Sequence, residues 1–349
     1  MKFLLYGATG YTGKIILAYA EGYGLTPVIA GRSEDKLKPL AEQFKVDYVA
    51  FDLSNHQNIV HHIKGFEVVL NCAGPFSQTA KPLVKACLEA GVHYLDITGE
   101  IAVFEWIKSQ HQEAVQSKTC LIPGVGFDVV PTDCVAGFLH QKMPDATHLT
   151  LVLGPVRGQI SHGTATTMVE SLGSMGAIRE DGNINAVPLG HKGQVFNFGG
   201  KPMFAMTIPW GDISTAYTTT GIPNIEVYAR MAKSSFQAMK FQFAFNWLLR
   251  LSFVKKMIQE QLDKKVTGPD SDARAKGQSR VLGIVKNAKG EELKALLIGP
   301  EGYDFTAHAA ILAVKKMENE NFKGGYYTPS LLFGVELATE IPNTTITII

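Results

Sequence analysis

At about 150 residues per domain, 349 residues suffice for two domains, and a hydrophobic share of 46% supplies a core for each. Lys and Arg number 33 against 32 Asp and Glu, a net charge of +1, so no net field gathers nucleic acid or an anionic membrane by charge alone. The four cysteines (72, 87, 120 and 134) form no C-x-x-C pair and have no His at zinc-ligand spacing, which argues against a disulfide frame or a metal centre and fits a reducing, cytoplasmic setting.

The chain opens with MKFLLYGATG, where a glycine at position 7 arrives too soon for the apolar stretch of a signal peptide, so no export is expected. Over the first 130 residues, short apolar runs alternate with turns and helix-period segments. This is the signature of βαβ units and hence of a parallel sheet. Strands are predicted at 2–6, 27–30, 48–51, 68–71, 94–97 and 119–123, mostly continuous apolar runs suited to burial on both faces. A helix over 78–90 has Pro82 near its first turn and Gly91 as its C-cap.

After Asp133 the texture changes to longer strand-like stretches such as 148–153, glycine-rich turns and the polar run REDGNINAVPLGHKGQ, which reads as a second, α+β domain. Near its end, MKFQFAFNWLLRLSFVKK is apolar on nearly every face, but Lys240 and Arg250 leave only nine uncharged residues between them, too few to cross a bilayer. Two readings of the segment from Phe236 to Val254 stand: a buried helix or lid, and a surface that meets lipid or an acyl chain. A charged linker, 264–280, precedes strand-like runs at 281–285 and 295–298 and two helical segments. The β-rich tail 344–349 reads either as an internal edge strand or as one that pairs across a homodimer axis.

Gly7, Gly10 and Gly13 form G-x-x-G-x-x-G directly after a strand and directly before a helix. Glycines let backbone approach a pyrophosphate, and the new helix offers unpaired N–H groups and its dipole's positive end to that anion. Thr9, Tyr11 and Thr12 are the remaining seat residues. An ATP-type P-loop does not fit, because five residues rather than four separate Gly7 from Gly13 and Ile15 stands where Ser or Thr would hold magnesium. At the tip of the second strand an NAD site would show an acid, whereas this chain has Ala30-Gly31-Arg32-Ser33. Arg32 forks onto a 2′-phosphate and Ser33, at the next helix's N-cap, adds donors, so NADP is favoured. The competing reading is a solvated Arg32 with Glu34 or Asp35 reaching toward the ribose.

YGATGYTG, NCAGPF, KPLVKACLEAGVHYLDITGE and PGVGFDVVPTD resemble the saccharopine dehydrogenase-like oxidoreductases, including trans-acting enoyl reductases, and HGTATTMVES, GPDSDARAKG, GPEGYDFTA and YYTPSLLFG follow in that family's order. The resemblance implies an α/β fold: a Rossmann-like NADP-binding domain (1–133), an α+β substrate or lid domain (134–322) and a carboxy-terminal segment (323–349) packing back on the first domain, with 325–338 as the return. It further implies that Asn71, Cys72, Ala73, Gly74 and Pro75 border the nicotinamide ribose, consistent with ligands lying beyond the carboxyl ends of strands. It places Asp52 and Leu53 beside the adenine, the alternative for Asp52 being a turn cap.

Hydride reduction needs a proton donor near the nicotinamide, and acids stand at strand ends: Asp96 and Glu100 after the fifth strand, Asp128 and Asp133 after the sixth. Asp96 is the first candidate, with Glu100 and Asp128 behind it, although Asp96 capping a turn and Glu100 starting a helix is an equally ordinary reading. No basic partner near Cys72 favours covalent chemistry. Gly163 and Thr164 open a helix over 165–176 and form either a second anion seat or a simple cap. No tyrosine has Lys four residues later and no G-x-S-x-G is present, which removes the short-chain dehydrogenase pair and the α/β-hydrolase elbow. With only Arg157, Arg179 and Arg230 to meet a dicarboxylate, saccharopine itself is a poor substrate fit. The expected function is therefore an NADPH-dependent reductase of a small or lipid-like enoyl, keto or imine substrate, with a non-catalytic NADP(H)-binding or membrane-peripheral protein as the rival.

Overall fold

The computed structural model describes residues 1–154, 161, 163, 165–166, 169, 173–198, 200, 202–239, 246–249, 251–263, 268–318 and 322–349. Arg157, Thr164, Lys240 and Arg250, singled out above, lie outside the described residues. The chain divides into two compact units: Met1–Val130 with Tyr303–Leu337, and Pro131–Gly302 with Ala338–Ile349.

In the first unit, strands β1 (Phe3–Tyr6), β2 (Val28–Gly31), β3 (Tyr48–Ala50), β4 (Val68–Asn71), β5 (His93–Asp96) and β6 (Cys120–Ile122) alternate with helices α1 (Tyr11–Ala20), α2 (Glu34–Phe44), α3 (His56–Ile63), α4 (Phe76–Ala90), α5 (Ile101–Ser109) and α6 (His111–Gln116). Their sheet runs β6-β5-β4-β1-β2-β3 and is parallel throughout, with Gly325–Tyr326 added beside β6. All four residues of β1 and of β4 are buried because alternate side chains serve two helical layers. Phe3, Leu5, Leu70, Leu95 and Ile122 pack on one face with Ile16 of α1 and with Ala307, Ala310, Ile311 and Val314. Leu4, Tyr6, Val69, Tyr94 and Leu121 pack on the other with Ile59 of α3 and Leu83 and Val84 of α4.

Two expectations change here. The return to this unit begins at Tyr303, not at 323, and ends at Leu337. The helix Gly302–Lys316 carries a small-residue face that completes one side of the parallel sheet, and periodicity alone does not say which sheet such a face covers. In addition, α4 starts two residues earlier than predicted, so Pro82 lies in its second turn rather than its first. Gly91 is the left-handed C-cap, as its position suggested.

The second unit is built on a mixed sheet in the order Gly193–Asn197, Pro202–Thr207, Asn224–Arg230, Ala146–Leu153, Gln278–Asn287, Glu292–Pro300 and Thr345–Ile348. Only the Asn224–Arg230 and Ala146–Leu153 pair is parallel. The polar run beginning at Arg179 folds as a hairpin, Gly176–Glu180 against Asn183–Val187, turned by Asp181-Gly182 with both φ angles positive. Gly176 thus begins a strand, where the sequence suggested the end of a helix. The carboxy-terminal strand Thr345–Ile348 pairs within the chain, Ala295 opposite Ile348. Among the described residues no helix is long and apolar enough to cross a membrane.

Candidate functional site

The glycine loop between β1 and α1 is fixed by close backbone packing. Gly7 has φ +88°, and a Cβ there would stand 2.6 Å from the Ala73 nitrogen, so the loop after β1 rests directly on the loop after β4. A Cβ on Gly13 would stand 2.5 Å from the Gly7 carbonyl oxygen. Gly7 N–H donates to Ala30 and Gly10 N–H to Gly7, at 2.8 and 3.0 Å. Gly10 is the N-cap of α1 and has no side chain to satisfy the first-turn N–H groups. Those of Thr12 and Gly13 have no carbonyl within their own helix to bond, which makes this terminus a seat for an anion.

At the tip of β2, Arg32 is exposed and Ser33 is the N-cap of α2 without a side-chain cap bond, leaving its hydroxyl for a ligand. Glu34 accepts from the Tyr48 hydroxyl at 3.1 Å, which engages the acid that otherwise competes with Arg32 for the ribose. Asp52, after β3, accepts from both the hydroxyl and the N–H of Ser54 at 2.5 and 2.8 Å. These bonds, assisted by the nearby Arg32 charge, hold its carboxyl below the usual range. Asp52 is thus a turn cap, with Leu53 packed on the α3–α4 side of the sheet.

The loop after β4 is pinned by Asn71 together with Thr79 and Tyr94, the last two being side chains that sequence reasoning did not single out. The Asn71 side-chain oxygen accepts from Ala73 N–H at 3.0 Å, and the Thr79 hydroxyl donates to the Ala73 carbonyl at 2.6 Å, so both backbone groups of Ala73 are held. Asn71 Nδ2 donates to Thr79 and to the Tyr94 hydroxyl, and Tyr94 donates to Asp96 Oδ2 at 2.8 Å. The available signal was an Asn at a strand end with a Thr eight residues on, in the first turns of a helix. Burial, with the Asp96 charge adding to it, pushes the Cys72 thiol far up, which keeps it protonated and agrees with the reading against covalent chemistry.

The four acids have different surroundings. Asp96 has no exposed surface, and its Oδ1 accepts from Thr98 N–H and Gly124 N–H, both at 3.0 Å. Burial raises its pKa to about 6 against these bonds. With three donors on it and no exposed surface, Asp96 fastens β5 to the loop after β6. Glu100 accepts from Phe76 N–H at 2.9 Å and Ser77 N–H at 3.2 Å, capping the start of α4, whose own N-cap is Pro75. Asp133 lies in the helix Val130–Lys142, buried in the second unit, where it accepts from Thr219. Asp128 is partly exposed, burial raises its pKa to about 6, and it lies against Gly99, whose Cβ would come within 2.8 Å of Oδ2. The return helix fixes its loop, since Phe127 N–H donates to Thr306 at 3.0 Å and the Phe127 ring meets Phe305.

In the second unit, Arg179 is buried, donates to the carbonyls of Ile213 and Gly182, and stacks on Tyr217, so it is committed to the fold. Gly163 is exposed, but its partner in the suggested anion seat, Thr164, lies outside the described residues. Among the described residues no group of acids, His and Cys is arranged to hold a metal ion.

The residues at the first unit's strand tips therefore fit a dinucleotide with a 2′-phosphate: uncapped N–H groups for the diphosphate, a guanidinium and a free hydroxyl at β2. Comparison agrees. Residues 3–122 match the family model of the saccharopine dehydrogenase NADP binding domain. The chain is 28% identical over 202 residues to the mouse saccharopine dehydrogenase-like oxidoreductase, covering 51% of this chain and 47% of that one. It is 30% identical over 182 residues to a Mycobacterium tuberculosis protein provisionally named a trans-acting enoyl reductase, covering 48% and 43%. A Caenorhabditis elegans lipid droplet localized protein is 23% identical over 95% of this chain and 93% of its own length. The chain's match spans about half the length of the mammalian relatives. Saccharopine dehydrogenase (L-Glu forming) of Saccharomyces cerevisiae superimposes with a TM-score of 0.66 at 10% identity over 100% of this chain and 99% of that one, a likeness of fold alone. Residues 3–122 thus match a saccharopine dehydrogenase NADP-binding domain, and the chain is similar in sequence to the saccharopine dehydrogenase-like oxidoreductases.

Proposed function

We propose that this protein is an NADPH-dependent reductase acting on a small or lipid-like enoyl, keto or imine substrate. The observation that carries the cofactor preference is the β2 tip, where Arg32 and the uncapped Ser33 stand in place of a ribose-binding acid. NADPH, when bound, supplies the hydride. The chain's part is to orient the nicotinamide through the pinned Ala73 loop and to hold a proton at Asp128, whose raised pKa near 6 suits a general acid close to neutral pH. The name of the mycobacterial relative supports an enoyl substrate, and that of the nematode relative supports a place at a lipid surface.

The non-catalytic reading keeps one specific observation in its favour: Asp96 and Glu100 are both committed to backbone N–H groups. NADPH and NADH fluorescence titrations of the wild type and Arg32→Ala test the cofactor. Loss of one charge-assisted phosphate contact weakens NADPH by about 10- to 100-fold and leaves NADH unchanged. Equal affinities of the wild type for both cofactors refute the assignment. Consumption of NADPH on incubation with a metabolite extract, lost in Asp128→Asn while NADPH still binds, supports turnover. Absence of consumption favours the non-catalytic protein.

A further inference from the structure

The segment 246–263 carries the largest exposed apolar side chains of the described residues. Trp247 is 67% exposed, Phe253 64%, Met257 57% and Leu251 37%. They do not result from an unpacked helix. In the helix Ser252–Asp263, Val254 is buried at 9% and Gln259 donates to the Thr166 hydroxyl at 2.9 Å, so one face is seated on the second unit. Phe253 and Met257, four residues apart, share the opposite face, and Trp247 and Leu251 precede them. The buried-helix expectation for 236–254 therefore fails at Trp247 and Phe253. Four large exposed apolar residues fall within eleven positions, a concentration of the kind that soluble surfaces avoid unless it meets something.

Charge identifies the occupant. Residues 240–265 hold six Lys and Arg against two acids, Glu260 and Asp263, a net charge of +4 in a chain whose total is +1. The rest of the chain is thus net negative, and this basic stretch overlaps in sequence the segment that bears the exposed aromatic side chains. An exposed Trp and Phe beside lysines match a helix lying in the headgroup region, with ring and thioether side chains among the acyl chains and ammonium groups at the phosphates. A protein groove offers no comparable reason for the basic excess.

We infer that Trp247, Leu251, Phe253 and Met257 are the anchors by which this protein docks on an anionic lipid surface, without spanning it. This rests on the lipid-surface reading above and names the element responsible. The test is co-sedimentation of the full chain with phosphatidylcholine vesicles containing about a quarter phosphatidylserine, each leucine-sized anchor contributing roughly tenfold to partitioning. Wild type is expected to bind, with less binding at high salt. The variant Trp247→Ser, Phe253→Ser, Met257→Ser is expected to lose about 100-fold in partitioning or more. Because these side chains are more than half exposed, its thermal midpoint is expected to stay at the wild-type value. Undiminished binding by the variant overturns the anchor assignment and leaves the lipid-surface reading standing, whereas no binding by wild type overturns both. Self-association of the wild type that the variant abolishes, without vesicle binding, overturns the inference in favour of a second copy of the chain.

Discussion

Replacing Gly13 by alanine tests whether the amino-terminal loop holds the cofactor through main-chain N–H groups. The added Cβ stands 2.5 Å from the Gly7 carbonyl oxygen and 2.7 Å from Ala8 Cα, and reaching an ordinary 3.4 Å separation takes about 0.9 Å of movement. Both obstacles are backbone, and the loop is tied down by Gly7 N–H to Ala30 and Gly10 N–H to Gly7, so the start of α1 must yield instead. For stability the effects nearly offset: overpacking costs about 1–3 kcal/mol, while alanine's helix propensity returns about 1 kcal/mol. Affinity suffers more. A displacement near 1 Å forfeits about one charge-assisted N–H bond to phosphate, about 1.5–3 kcal/mol, which is 10- to 100-fold in Kd. Gly10→Ala is the control, because the nearest atom to its Cβ is the Gly7 oxygen at 3.2 Å, and a loss under about threefold is expected. NADPH fluorescence titration alongside thermal midpoints measures both terms. Wild-type affinity in Gly13→Ala, or equal losses in the two variants, refutes the geometry of the seat.

Three further outcomes follow from the bond network. Asp96 has a folded pKa raised to about 6 from an unfolded 3.8, so its stability contribution is full below about pH 4 and is lost as pH rises through 6. The stability difference between wild type and Asp96→Asn is therefore expected to move by about 3 kcal/mol in the variant's favour between pH 4 and 7, and paired urea unfolding curves showing no such pH dependence contradict this. Glu100→Ala leaves two N–H groups at the start of α4 without their cap and is expected to cost about 1–2 kcal/mol, with Glu100→Gln restoring part of it; unchanged melting in Glu100→Ala would exclude the capping role. Asn71→Leu frees the Ala73 N–H and leaves the Tyr94 hydroxyl short of a donor inside the fold, with an expected loss of about 1–3 kcal/mol. The same change is expected to weaken NADPH more than it shifts melting, and the reverse order would show that the Ala73 loop does not position the cofactor.

How much of this was readable in advance depended on whether the cause was local. The strand tips, the glycine loop, the N-cap at Ser33 and the C-cap at Gly91 follow from neighbouring residues, because φ limits, helix-end N–H groups and strand alternation act within a few positions. The acids were not readable in this way. Asp96, Glu100 and Asp128 look alike at strand ends, yet one is surrounded by donors from Thr98 and Gly124, one caps a helix 24 residues away, and one stays partly exposed.

Glycine spacing and apolar runs were enough to specify the loop after β1 and a parallel sheet. The folded neighbourhood alone assigned what surrounds each carboxylate and where the return segment begins. A carboxylate's proton affinity and availability depend on which N–H groups and how much water surround it, and those neighbours arrive from elements far away along the chain. Likewise the alanine-rich face of Gly302–Lys316 specifies that it will be buried, but only the assembled sheet with its uncovered side specifies against what.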